Sequence, residues 1–241
     1  MTLKKTLPKP DPLYRKEDAW VPLATLAEIG TSIWPRKLPQ DLPQENKLPG
    51  RHYATRAGLS LMLRLWTYIP LRSRNMREME LGNHLYQDPH GTWRLTFRGE
   101  QLKVAVKRGR TNILDLPFPE KLVPILEAYL AIWRPILLAA TSQPTELVFL
   151  TKYGGLYTDQ TLMLQAKKIV YSYTGKAWHP HIIRTVWATE WIRKTHGDFY
   201  TAAIMLNDRL ETVIAKYTHL MEEDVAEKAY RLIDERNSQG K

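Results

Sequence analysis

Three sets of residues in this 241-residue chain carry side chains suited to chemistry on a phosphate. The first is His181-Ile182-Ile183-Arg184. Residues three apart share one face of a helix. An arginine can clamp phosphate oxygens through two parallel hydrogen bonds, and a histidine can hold or move a proton near neutral pH. The pattern is short, and its plainest reading is a helix start with ordinary surface residues. The second set is the basic stretch holding Arg94, Arg98, Lys103, Lys107, Arg108 and Arg110 against one acid, Glu100. On a hairpin these side chains would reach out along one rim and touch the phosphates of a duplex. A charged sheet edge that resists unwanted pairing is the competing reading. The third is Tyr217, in Ala215-Lys216-Tyr217-Thr218-His219, a hydroxyl 33 residues beyond Arg184. A tyrosine in a helical region usually packs, so Tyr217 matters only through its spacing from the other two sets. His179 and His181 form an HxH pair, but no third metal ligand accompanies them, so no metal site is expected.

The rest of the composition narrows the chemistry. There is no cysteine, which excludes disulfides, Cys-ligated zinc, iron–sulfur clusters and thiol nucleophiles. There is no GxGxxG, Walker loop, HExxH or GxSxG, so no bound cofactor is expected. Thirty-five Lys+Arg against 25 Asp+Glu give a formal charge of +10, which favours a polyanionic partner, double-stranded DNA first. The 44% apolar content and eight tryptophans are enough for a packed core. No apolar run is long enough to span a membrane, and the N-terminus lacks the apolar segment of a secretory signal. A cytoplasmic, DNA-associated protein is expected.

Elements must position these groups. Residues 1–50 read as a proline-rich arm or linker, with a short helix over 22–30 ended by Gly30. From His52 to Ile69, Ala54, Ala57, Leu61, Leu65 and Tyr68 recur at helical spacing, and Pro70 ends the pattern. A short helix over Ser73–Leu81 follows. Residues 91–97, 102–107 and 112–117 alternate as strands, with turns at Arg98-Gly99 and Arg108-Gly109. Residues 119–138 are helical, with Leu122, Ile125, Leu126, Tyr129 and Leu130 on one face and Pro135 kinking or ending the helix. Residues 146–150 suit a short strand. Thr158 caps a helix that Gly175 stops. Further helices cover 181–195, 199–206, 211–217 and 222–236, the last amphipathic through Val225, Ala229, Leu232 and Ile233. The expected fold is α+β and mostly α-helical, with a small three-stranded antiparallel sheet, and residues 51–241 form one domain.

The spacing of these features resembles the catalytic domain of the tyrosine recombinase (phage integrase) family, over roughly residues 50–236. Pro180-His181-Ile182-Ile183-Arg184-Thr185-Val186-Trp187-Ala188-Thr189 looks like the family's P-H-x-L-R-H-x-x-A-T. Tyr217-Thr218-His219 matches its frequent Y-T-H, and Pro70-Leu71-Arg72-Ser73-Arg74-Asn75-Met76 resembles G-L-R-x-x-E-L. The resemblance implies that Tyr217 attacks a DNA phosphorus, leaving a 3′-phosphotyrosine and a free 5′-hydroxyl. It implies that Arg72 and Arg184 hold the non-bridging oxygens, and that His181 orients the phosphate and assists proton transfer. A hairpin lysine would protonate the leaving oxygen. Lys103 is preferred because it follows the first strand through a turn, and Lys107 is the alternative. The other hairpin cations, Arg94, Arg98, Lys107, Arg108 and Arg110, would contact DNA. No metal is needed, because the cations supply the electrostatic stabilisation.

The chain departs from the family pattern at Asp208. It stands nine residues before Tyr217, where the family often has histidine. An acid beside a phosphate repels it, so Asp208 is protonated, orients His181 or Lys216, points away, or marks a weakened enzyme. The family's separate core-binding domain is also missing from the sequence. A catalytic piece of a longer protein and a short form both fit. The last helix docks on a neighbouring subunit of a tetramer or packs on its own domain. The function expected is site-specific DNA cleavage and rejoining, as an integrase or transposase of a mobile element. The alternatives are a catalytically weakened DNA-binding relative, a topoisomerase of the same chemistry, and a basic interaction module without DNA chemistry.

Overall fold

The frame of the domain is α2 (Lys47–Tyr68), a 22-residue helix. In the computed structural model, residues 16–41, 47–98, 106–107, 110–111 and 113–221 are described, with 229–230, 233–234 and 236 beyond them. The apolar spacing of Ala54, Ala57, Leu61 and Leu65 does form a buried face. Burial goes further, because Leu59, Ser60, Met62, Leu63 and Trp66 are buried as well. Tyr68, expected on that face, is instead exposed. The helix starts earlier than its apolar pattern. Pro49 sits in its first turn, where a missing N–H costs nothing.

Across α2 lies α1 (Leu23–Ile33). Gly30 does not stop this helix; it lies inside it. A Cβ there would sit 2.5 Å from Arg64 Cγ and 3.2 Å from the Ser60 carbonyl oxygen. Gly30 is therefore a close-approach residue that lets two helices touch, and the Ser60 hydroxyl donates to the Gly30 carbonyl at the crossing. Val21, Leu26, Ile29 and Ile33 share one core with α2. This part of the proline-rich stretch packs with the domain rather than trailing as an arm.

After α2 comes α3 (Ser73–Arg77), shorter than the expected Ser73–Leu81 helix. The sheet is three-stranded and antiparallel, as expected, but its membership differs. The order is β1 (Leu85–Gln87), β2 (Trp93–Arg98), β5 (Ile113–Pro117). The two outer strands both pair with β2, Leu85 facing Leu95 and Leu116 facing Leu95 from the other side. β1 is three residues long, too short for an alternating pattern to reveal it. The expected strand 102–107 is not the middle of this sheet. Its described end, β3 (Val106–Lys107), pairs with β4 (Arg110–Thr111) in a separate two-stranded ribbon.

Residues 123–138 form α4 (Val123–Ala128), a five-residue π-helical turn (Tyr129–Trp133) and α5 (Arg134–Leu138). Pro135 neither ends nor breaks this rod. The wider turn just before it accommodates a residue with no N–H. Its buried face is Leu122, Leu126, Tyr129, Trp133 and Leu137, while Ile125 and Leu130 are half-buried. The stretch 146–150 forms no strand. Leu147 makes an isolated antiparallel bridge to Glu80. The helix α6 (Asp159–Thr174) has the expected caps: the Thr158 hydroxyl accepts from the Thr161 N–H, and Gly175 closes it at φ +66°.

A 3-10 turn (Pro180–Ile182) leads into α7 (Ile183–Lys194), followed by α8 (Phe199–Leu206) and α9 (Leu210–Tyr217). These three helices enclose a second, smaller core of Trp187, Ala188, Ile192, Ala202, Ala203, Leu206, Val213, Tyr217 and Met221. In the expected last helix, Ala229 and Ile233 are exposed, while Val225 and Leu232 lie outside the described residues. Among the described residues no helix is long and apolar enough to cross a membrane.

One indole joins the frame to the loop that follows it. Trp66 is fully buried, donates from Nε1 to the Leu71 carbonyl at 3.0 Å, and lies edge-on to Trp178. Trp66→Phe keeps most of the packing and leaves the buried carbonyl without its donor. We expect it to lower unfolding free energy by about 1–3 kcal/mol, read by urea denaturation.

Candidate active site

The site is built at chain reversals: one main-chain anchor lies in the loop after α2 and the other at the end of α8. Arg72 ends the short loop that follows α2. Its extended backbone (φ −67°, ψ 149°) makes it the first residue before α3, and its carbonyl accepts from the Met76 N–H at 3.0 Å. Pro70, two residues earlier, cannot continue α2 and leaves its own carbonyl available for a side-chain donor. Arg184 is the second residue of α7. Asp208 follows Asn207, which closes α8 in the left-handed region at φ 46°. Asparagine tolerates that conformation better than most residues. Tyr217 is the last residue of α9.

The Arg184 guanidinium is the hub. Nη1 donates to the Pro70 carbonyl at 2.9 Å, and Nη2 donates to the Leu206 carbonyl at 2.6 Å. The Leu206 carbonyl belongs to the last turn of α8, where carbonyls have no helical partner and a cation is favourable. Nη2 also lies 3.7 Å from Asp208 Oδ2. Burial pushes the Arg184 guanidinium down to about 10, with the nearby Arg72 charge adding to the shift and Asp208 and Tyr217 opposing it. Burial lowers Arg72 as well, and Asp208 again opposes. Two like charges thus share a partly desolvated site, and Asp208 is the acid acting on both. Its other oxygen accepts from the Arg209 N–H at 3.1 Å. Asp208 therefore stands beside Arg184 and acts on Arg72.

Tyr217 is only 4% exposed and packs in the smaller core. The Lys216 ammonium lies 5.0 Å from its ring centroid. Arg72, Arg184, Asp208 and Tyr217, from three distant parts of the chain, are thereby brought into one electrostatic cluster.

His181 stands apart from this cluster. It lies in the 3-10 turn that runs directly into α7, three residues before Arg184. Its side chain is 59% exposed, and Nε2 lies 3.8 Å from Asp159 Oδ2 at the start of α6. Among the described residues no hydrogen bond or ion pair joins it to Arg72 or Arg184.

The basic hairpin divides. Arg94 is held within the sheet: Nε and Nη2 donate to Asp115 Oδ1 at 3.1 and 2.9 Å, and the Thr96 hydroxyl donates to the same oxygen. This pairing raises the Arg94 guanidinium above its usual value. Arg98 is exposed at the end of β2. Lys107 and Arg110 face each other across the ribbon. Lys103 and Arg108 lie outside the described residues.

Sequence reasoning did not find the Pro70 and Leu206 carbonyls, which no side-chain pattern marks. Nor did it find Asn207, which is buried and whose Nδ2 has no partner among the described residues. The signal for Asn207 was its type, an asparagine just after an apolar helical stretch.

No family model matches this chain, and no curated protein matches it. Solved structures do. The XerH site-specific recombinase bound to a difH substrate in a pre-cleavage complex aligns with a TM-score of 0.55 at 18% identity, covering 86% of this chain and 52% of that one. The same recombinase in a post-cleavage complex with a palindromic difH substrate aligns with a TM-score of 0.53 at 17% identity, covering 88% and 52%. This chain spans about half the length of those structures (52%). The likeness establishes a tyrosine recombinase catalytic-domain-like fold.

The hub and its outlier make a paired prediction. Arg184→Lys cannot reproduce the planar fork on two carbonyls, and should cost about 1–3 kcal/mol for each carbonyl left unpaired. His181→Ala, at an exposed site, should stay within about 0.5 kcal/mol of the parent. Thermal and denaturant unfolding of the two variants checks both.

Proposed function

We propose that this protein cleaves and rejoins DNA through a covalent 3′-phosphotyrosine, as a site-specific recombinase of the integrase or transposase kind. The observation that carries this reading is the Arg184 guanidinium, fixed on the Pro70 and Leu206 carbonyls where the charges of Arg72 and Tyr217 act on it. In this reading a phosphodiester held by the two arginines meets the Tyr217 phenol oxygen. The fold's likeness to DNA-bound recombinase complexes supports double-stranded DNA as the partner.

In this mechanism the Tyr217 oxygen forms a bond to phosphorus as the bond to the 5′-oxygen breaks. The arginines stabilise charge gathering on the non-bridging oxygens. The proton lost by Tyr217 passes toward His181, and the leaving 5′-oxygen takes a proton from Lys103, or from Lys107. A 5′-hydroxyl attacking the phosphotyrosine reverses the step, so rejoining needs no nucleotide and no metal. Arg98, Lys107, Arg108 and Arg110 hold the flanking backbone, with Arg94 joining them if it leaves Asp115. Assembly on DNA as a tetramer completes the reaction between two duplexes.

A second reading, a DNA-binding relative with weakened catalysis, draws on two observations: Asp208 already lies against the arginines, and His181 is paired elsewhere. One experiment separates the readings. The substrate is duplex DNA carrying the ends of the element that encodes the protein, nicked just beyond the cleavage point to trap the intermediate. The expected result is an SDS-resistant protein–DNA band that persists in EDTA and disappears in Tyr217→Phe. DNA binding without a band supports the weakened relative. No binding at about 50 mM salt removes both readings.

A further inference from the structure

The acid in the candidate site stands where an anion would bind. The Asp208 carboxylate lies 3.7 Å from Arg184 Nη2, and its charge acts on Arg72 as well. The Pro70 and Leu206 carbonyls already take one N–H from each Arg184 nitrogen. The remaining donors of that guanidinium are what an incoming phosphate must share with Asp208. Asn207, the residue before Asp208, is buried, and its Nδ2 has no acceptor among the described residues. Asn207 and Asp208 also line one open cleft of about 330 Å³, together with Asp115 and Tyr200. The Asp208 side chain is 31% exposed at this cleft, so it can move outward without unpacking the core.

We propose that Asp208 is a built-in substitute for the substrate phosphate, a resident counter-anion that occupies the arginine pair until a phosphate displaces it. This rests on the reading of the pair as a phosphate site and adds a brake to it. The charges make the logic explicit. Two arginines and one carboxylate leave one net positive charge to attract a phosphate. Without the carboxylate there are two, and the competitor is gone. Asp208 thus keeps a partly buried like-charged pair tolerable in the free protein and sets a threshold for ligand entry.

The test measures inorganic phosphate binding to the whole chain by calorimetry, against chloride at matched ionic strength. Asp208→Asn should bind phosphate at least tenfold more tightly than the parent. Asp208→Glu, which keeps the charge, should stay near the parent. Adding Arg72→Gln to Asp208→Asn should abolish the gain and so locate it. Equal or weaker binding by Asp208→Asn would overturn the proposal, as would an equal gain in Asp208→Glu. Should Asp208→Asn fail to fold, the parent decides: in a crystal soaked with phosphate, a phosphate on the arginines with the Arg184–Asp208 pair still intact overturns the proposal, and a displaced Asp208 supports it. The two readings fail separately. Tighter phosphate binding without any Tyr217-dependent DNA adduct keeps the counter-anion and removes the recombinase. A Tyr217-dependent adduct without the phosphate effect does the reverse.

Discussion

A single guanidinium ties three segments of this chain together. Arg184 lies in the first turn of α7, and its two terminal nitrogens reach the Pro70 carbonyl after α2 and the Leu206 carbonyl at the end of α8. The Leu206 carbonyl is one that a helix end leaves without a partner, and the Pro70 carbonyl lies in the loop after α2. Using them turns two chain reversals into one fixed junction. Arg72, Asp208 and Arg184 inherit their relative positions from it. The cost is a charge placed in a partly desolvated site next to a second charge of the same sign, visible in the lowered Arg184 value. Asp208 offsets part of that cost, so the acid that looks misplaced beside a phosphate has a clear electrostatic reason to be there.

The rest of the fold holds this junction steady. α2 is buried along much of its length, and Trp66 links its end to the Leu71 carbonyl one residue before Arg72. α1 braces α2 at a crossing that only a residue without a side chain permits, at Gly30. On the other side, α7, α8 and α9 enclose their own small core, and Tyr217 is part of it. The same residue serves packing and, in the proposed reaction, attack on phosphorus. A buried phenol at a helix end is held in one orientation, which suits a nucleophile that must meet phosphorus along one line.

Much of this was legible in the residues. Spacing gave α2, the Thr158 and Gly175 caps gave α6, and the order of α7, α8 and α9 was legible as well. What misled were local rules overridden by contacts. Gly30 looks like a helix stop, yet it lies inside a helix because Arg64 and Ser60 of α2 approach it. Pro135 looks like a break, yet a π turn absorbs it. β1 is too short to show a period, so the sheet was assigned the wrong third strand. His181 and Arg184 look like one pair, yet His181 is exposed beside Asp159 while Arg184 is held on two main-chain carbonyls.

The sequence by itself determined the elements and the chemical inventory: a basic, cysteine-free chain with two arginines, a histidine, an acid and a tyrosine at telling intervals. Those properties depend on residue type and on neighbours three or four positions away. Only the tertiary structure decided which of them meet. The pairing of Arg184 with Asp208 spans 24 residues, and its bond to the Pro70 carbonyl spans 114. A backbone carbonyl has no residue type of its own, so no sequence pattern marks it as a partner. It becomes one only when the chain folds back and brings a donor to it.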